Sequence, residues 1–143
     1  MRIFGRKKGR LERLLVVEDE PLVAFDTEHV LGAAAYEVVA TVDRASKAIA
    51  LIVGDQAIDL ILADVQLADG SGLDVARAAR HRGIPVLFVT GTPPAEASEL
   101  AEGVLRKPYG PRDLLIAIAA IEEKRMGKTP ARLPSGLRLF AGA

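Results

Sequence analysis

Leu60-Ile-Leu-Ala63 is an unbroken apolar run that ends on Asp64 and is followed by a turn-rich stretch, Ala68-Asp-Gly-Ser-Gly72. A run of this length with such a boundary predicts a strand buried on both faces, the arrangement of a parallel sheet. Asp64 then stands at the carboxyl end of a central strand, the edge at which open α/β sheets bind ligands. Similar runs recur at Leu14–Val17, Tyr36–Val42, Ile84–Thr90 and Gly103–Arg106. Helical spacing fills the intervals. It runs from Pro21 to about Ala35 with an apolar face of Leu22, Val23, Phe25, Val30 and Leu31, then from Ala45 to Val53, stopped by Gly54. It returns from Gly72 to Arg82, stopped by Gly83, in a short Ala95–Ala101 piece after Pro93-Pro94, and from Pro111 with a stripe of Leu114, Leu115, Ile118 and Ile121. Five strands alternating with five helices predict right-handed βαβ units and a doubly wound, five-stranded parallel sheet over residues 12–125.

The chain contains no cysteine, which excludes disulfides, thiolate metal sites and a Cys nucleophile. Its longest apolar runs, such as Leu114–Ile121, are far short of the roughly twenty residues that cross a bilayer. Glu18, Asp19 and Glu20 interrupt the basic N-terminus before a signal-peptide core can form, so a cytoplasmic protein without a membrane span is expected. Zero net charge hides an asymmetry: six basic residues face only Glu12 within residues 1–13, and five basic residues with no acid lie in 124–143. Residues 1–11 and 126–143 are therefore expected to be flexible basic ends around an acidic body. Pro130 and Pro134 argue against a helix there, and the segment is too short for a DNA-binding output domain.

In a parallel sheet all strand carboxyl ends share one edge. That edge collects Glu18 and Asp19 from the first strand, Asp64 from the third, Thr90 from the fourth and Lys107-Pro108 from the fifth. Three carboxylates in one crevice repel one another and call for a cation. Oxygen ligands without a nearby His or Cys select a hard ion, Mg²⁺. A Lys opposite supplies a charge for phosphate, and Thr90 a hydroxyl donor. Together these describe phosphoryl transfer to a carboxylate nucleophile.

On these residues the chain resembles the receiver domain of two-component response regulators, in a stand-alone single-domain form. The resemblance rests on Val-Val-Glu18-Asp19-Glu-Pro, Asp64 with Gly70 beyond it, Phe-Val-Thr90-Gly91 and Arg-Lys107-Pro108-Tyr109, in order across 12–125. It implies a flavodoxin-like (β/α)5 fold with strand order 2-1-3-4-5. It implies that Asp64 accepts a phosphoryl group from a histidine kinase or histidine phosphotransferase. By the same resemblance Asp19, Asp64 and the backbone carbonyl of Gln66 ligate Mg²⁺, with Glu18 acting through water. Thr90 and Lys107 would each bind a phosphoryl oxygen, Gly91 would leave room, and the Lys107–Pro108 bond would be cis. Output is then by contact with a downstream protein through the fourth helix, fifth strand and fifth helix, and a homodimer is one assembly open to it. Such a domain catalyses only its own phosphorylation and dephosphorylation and is not otherwise an enzyme.

The chain also departs from the family pattern. Ala68 stands where Pro is common and Gly91 where Ala is common. Val104 replaces the aromatic that swings inward on activation, as in an α-proteobacterial receiver subgroup with a Phe-Ala-Thr-Gly type motif. Tyr109 is then the one nearby aromatic left to report phosphorylation, and reordering of 91–103 is the expected substitute. The missing aromatic keeps open a phosphorylation-independent binding module as the alternative. A haloacid-dehalogenase-type phosphatase is excluded because Gln66 sits where its general acid is needed. Gly70-Ser-Gly72 fails as a dinucleotide loop, since Val75 takes the third glycine position. Gly127-Lys-Thr129 fails as a P-loop, since Glu122 stands where the first glycine belongs. His29 and His81 read as surface residues.

Overall fold

In the computed structural model, which describes residues 10–130 and 133–141, the strand predicted at Leu60 is the centre of the sheet. Strands β1 (Arg13–Val17), β2 (Glu37–Val42), β3 (Leu60–Ala63), β6 (Val86–Thr90) and β7 (Gly103–Arg106) are parallel, in the order β2-β1-β3-β6-β7. This is the expected flavodoxin-like order. All four residues of β3 are buried, as an apolar run covered on both faces must be. Helices α1 (Pro21–Ala33), α2 (Ala45–Val53), α3 (Gly72–His81), α4 (Ala97–Leu100) and α5 (Pro111–Arg125) provide that cover. One core cluster gathers Ile61, Ala63 and Phe88 with α2 and α3; the other gathers Leu60, Leu62 and Leu87 with Leu31 and α5. No helix among the described residues is long and apolar enough to cross a membrane.

Besides the buried face of α1, three local features differ from the sequence expectation. First, the sheet has a sixth strand: β8 (Leu137–Leu139) lies antiparallel on β7, so part of the segment expected as a flexible tail is ordered edge structure. Second, Leu11, assigned to the N-terminal extension, is buried, and its amide donates to Glu122 Oε2 of α5 at 2.7 Å. Residues 1–9 of that extension fall outside the described residues. Third, a hairpin of β4 (Gln66–Leu67) and β5 (Gly70–Ser71) follows Asp64.

The hairpin tip has a use. The Asp69 carboxylate accepts from the Ala45 amide at 2.7 Å and the Ser46 amide at 3.1 Å, capping α2 from 23 or more residues away. Hydrogen bonding to Ser46 holds its pKa below the ordinary value. Ser71 Oγ accepts from the Leu73 amide at 3.0 Å and caps α3, which begins at the expected Gly72.

Helix α1 keeps only part of its expected face. Leu31 and Thr27 turn inward, whereas Leu22 and Phe25 are 79% and 66% exposed. The helix carries apolar residues on both sides, so periodicity alone did not select the buried one. The stripe expected on α5 holds: Leu114, Ile118 and Ile121 are buried and Leu115 packs beside them.

Candidate functional site

Every strand end named from the sequence reaches the same crevice. Glu18 follows β1 at 6% exposure, Asp64 follows β3 at 9%, and Thr90 ends β6 at 2%. The Glu18 amide bonds the Val42 carbonyl and the Asp64 amide bonds the Val17 carbonyl, both continuing the sheet ladder past its last strand residues. The two carboxylates are thus carried by the sheet and not by loose loops. Asp19 lies half-buried beside them, and one oxygen from each of Glu18, Asp19 and Asp64 falls within 4.8 Å of the others.

Lys107 answers this charge. Its Nζ is 2.9 Å from Glu18 Oε1 and 2.9 Å from Asp64 Oδ2. Its amide donates to the Thr90 carbonyl at 2.9 Å, and the peptide bond to Pro108 is cis as expected. Burial alone would lower the Lys107 pKa, but the hydrogen bonds to Glu18 and Asp64 outweigh it and hold the ammonium charged above its ordinary range. Glu18 behaves oppositely. Burial raises its pKa above the ordinary value despite the hydrogen bond from Lys107. A second cation at this cluster would relieve that cost, and three carboxylate oxygens without nitrogen or sulfur suit a hard divalent ion.

The remaining candidates take distinct positions. The Gln66 amide donates to Asp64 Oδ1 at 3.2 Å, which ties the start of the hairpin to the carboxylate. Thr90 Oγ1 accepts from the Thr92 amide at 3.2 Å and donates to the Thr92 carbonyl at 3.5 Å, a long bond that a better acceptor in the crevice could replace. A Cβ placed on Gly91 would meet no atom within 4 Å, so the space beside it is open. Val104 is buried in the core and paired with Phe88, not placed at the crevice. Tyr109 is partly buried against α1 through a hydrogen bond with Thr27, and burial raises its pKa. The sequence predicts Tyr109 as the one aromatic near the switch region, but a second stands there: Phe140, just past β8, lines a cavity of about 320 Å³ with Val104, Pro93 and Pro94. That contact had no sequence signal, because it depends on β8 finding β7.

One positioning residue was missed. A Cβ on Gly72 would sit 2.1 Å from the Asp64 carbonyl oxygen and 3.0 Å from Val65 Cα. The first turn of α3 packs directly on the backbone that carries Asp64, and the Gly72 amide bonds the Val65 carbonyl at 2.8 Å. Only glycine allows that approach.

The profile of the response regulator receiver domain matches residues 14–119. Phyllosphere-induced regulator PhyR of Methylorubrum extorquens is 33% identical over 112 residues, which cover 74% of this chain and 42% of PhyR. The probable transcriptional regulatory protein TcrX of Mycobacterium tuberculosis is 34% identical over 146 residues, covering 96% of this chain and 59% of TcrX. The chain therefore spans about half the length of these curated relatives. Among solved structures, a CheY-like response regulator receiver domain protein from Methanospirillum hungatei superposes with a TM-score of 0.72 at 29% identity, over 82% of this chain and 98% of that one. With the fold, the acidic crevice and these matches in agreement, the chain belongs to the response regulator receiver domain family.

Proposed function

We propose that this receiver domain accepts a phosphoryl group on Asp64 from the phosphohistidine of a kinase or phosphotransferase and passes the signal on by protein contact. Receiver domains are signalling modules and not enzymes with a turnover substrate. The observation that carries the reading is the convergence of Glu18, Asp64 and Lys107 in one buried crevice at the carboxyl edge of the sheet, with Lys107 Nζ 2.9 Å from both carboxylates. An Asp64 carboxylate oxygen attacks phosphorus, the P–N bond breaks, and its electron pair stays on the imidazole, which takes up a proton. Little covalent work falls to the protein, so catalysis is positioning plus charge neutralisation.

In this reading Asp19, Asp64 and the Gln66 carbonyl hold Mg²⁺, with Glu18 acting through water. Bound there, the ion would supply positive charge that offsets the negative charge of phosphoryl transfer. Lys107 moves from Asp64 Oδ2 to a phosphoryl oxygen, Thr90 donates its hydroxyl to another, and the open space at Gly91 admits the group. The exposed Leu22 and Phe25 follow Glu18-Asp19-Glu20 directly on α1 and offer an apolar landing strip for a helix of the phosphodonor. Val104, buried where an aromatic switch would be, supports the second reading, a binding module that works without phosphorylation.

Two measurements test the site. Intact mass after phosphoramidate treatment is expected to rise by one phosphoryl group in wild type with Mg²⁺, and not with EDTA or in Asp64→Asn. A gain that survives Asp64→Asn would move the acceptor elsewhere. Separately, Mg²⁺ is expected to raise Tm, by about 2.7 kcal/mol of stability at a hundred times its Kd. The gain should shrink as pH falls through the raised Glu18 pKa, because protonated carboxylates release the ion, and it should be lost in Asp19→Asn. A Tm shift by Mg²⁺ that is equal at pH 5 and pH 8 would contradict this assignment.

A further inference from the structure

The face expected to meet a downstream partner is already occupied. Strand β8 covers the edge of β7, with Leu137 opposite Leu105, Arg138 opposite Val104 and Leu139 opposite Gly103. Its ends are fastened by Arg106 N–H to the Gly136 carbonyl at 2.9 Å and Phe140 N–H to the Glu102 carbonyl at 3.0 Å. The strand grips both faces of the sheet: Leu137 joins the cluster with Leu105 and α5, while Phe140 packs against the opposite cluster that contains Val104. Lys124 of α5 donates to the Phe140 carbonyl. Gly103 is shaped for this neighbour, since a Cβ there would lie 2.6 Å from the Arg138 carbonyl oxygen.

We propose that residues 136–140 are a self-occupying strand, which holds the β7 edge while Asp64 is unmodified and yields it to a partner's extended segment when Asp64 is phosphorylated. The proposal rests on the phosphoacceptor reading above. The seat and the site share backbone. Arg106, which holds Gly136, is followed by Lys107, whose amide bonds Thr90 and whose Nζ bonds Asp64. On the other side, Thr92 N–H bonds Thr90 Oγ1 and leads into Pro93-Pro94, which wall the cavity beneath Phe140. A phosphoryl group that draws Lys107 Nζ and the Thr90 hydroxyl toward itself pulls on both sides of the strand's seat. Phe140 thereby takes the place that Val104 leaves vacant: the aromatic that senses the switch comes from the C-terminal strand.

The resident strand also specifies the incoming partner. Its pattern, Leu137-Arg-Leu-Phe140, is aliphatic-basic-aliphatic-aromatic in extended form, so the β7 edge fits a peptide strand with alternating apolar residues and a terminal aromatic. Three paired residues on a tether back to α5 form a contact that a partner can displace, because main-chain pairing is exchanged for identical pairing.

The test is amide hydrogen exchange on the full chain with Mg²⁺, with and without beryllofluoride, whose binding is read by ¹⁹F NMR. Expected are a bound ¹⁹F signal lost in Asp64→Asn and exchange of the Arg106 and Phe140 amides faster by on the order of tenfold. A fluorescent peptide with the sequence of residues 133–141 is expected to bind the beryllofluoride form about tenfold more tightly than the free form. A bound ¹⁹F signal with unchanged protection, or with equal peptide affinity, overturns the self-occupying strand while leaving Asp64 as acceptor. Absence of any ¹⁹F signal overturns the acceptor reading and this inference with it.

Discussion

Lys107→Met is expected to lower stability by about 2 kcal/mol at neutral pH and to slow phosphoramidate labelling by on the order of a hundredfold. The first effect follows from burial. Glu18 and Asp64 both lie in the crevice with Lys107 Nζ 2.9 Å from each, and its side chain is 20% exposed. Breaking a fully buried pair costs about 3–5 kcal/mol, and the partial exposure of Lys107 reduces that figure. The pH dependence has a fixed sign. Burial already raises the Glu18 pKa above its ordinary 4.5, and losing Lys107 raises it further. A carboxyl whose folded pKa is raised favours folding below its unfolded pKa, and that contribution is lost as pH rises through the folded value. The deficit of the variant should therefore be largest near pH 7 and close as pH falls toward 4.5. Urea titrations of both proteins at several pH values measure it, and a deficit independent of pH would contradict the charge account. The loss of labelling is separate, because Met also removes the cation that would meet the phosphoryl oxygen.

Gly72→Ala is expected to cost about 3 kcal/mol, at the top of the range for overpacking, because the atom met by the new methyl is backbone and cannot rotate away. The contact of 2.1 Å to the Asp64 carbonyl can be relieved only by moving α3 off the sheet or by displacing the segment that bears Asp64. Labelling should fall with stability, and the crevice should bind Mg²⁺ less tightly even under conditions in which the variant is folded. Gly91→Ala is the control, since its added methyl meets open space and leaves stability within about 0.5 kcal/mol of wild type. Thermal melts and Mg²⁺ titrations of the two variants separate close packing at Gly72 from the general cost of replacing a glycine.

The parallel sheet and the crevice were legible because their signals are local and repeat. Leu60–Ala63 announces a buried strand, and the polar residues that end each run must meet at one edge once the strands are parallel. Strand β8 gave no such signal. Leu137-Arg-Leu139 is three residues long and follows Pro134 and Gly136, and it becomes a strand only because β7 presents an unpaired edge. The β4–β5 hairpin was hidden for a related reason: its turn, Ala68-Asp69, lacks the Asn-Gly chemistry that marks two-residue loops. Asp69 reads as a loop charge until the fold brings the α2 N-terminus to it. Asp59, at the start of β3, likewise accepts from the Glu12 and Arg13 amides and fastens β1 in register. On α1 the pattern offered two apolar sides, and packing against the sheet chose Leu31 over Phe25. In each case the deciding partner is distant in sequence.

The central claim is that Asp64 is the phosphoacceptor. Borohydride reduces an acyl phosphate to the alcohol, so trapping after treatment with a phosphodonor and Mg²⁺, followed by peptide mass spectrometry, reads the modified residue directly. Homoserine at position 64, absent without donor or with EDTA, is the predicted result. Reduction at Glu18 or Asp19 instead, or a stable phosphoryl group that borohydride does not remove, would contradict it.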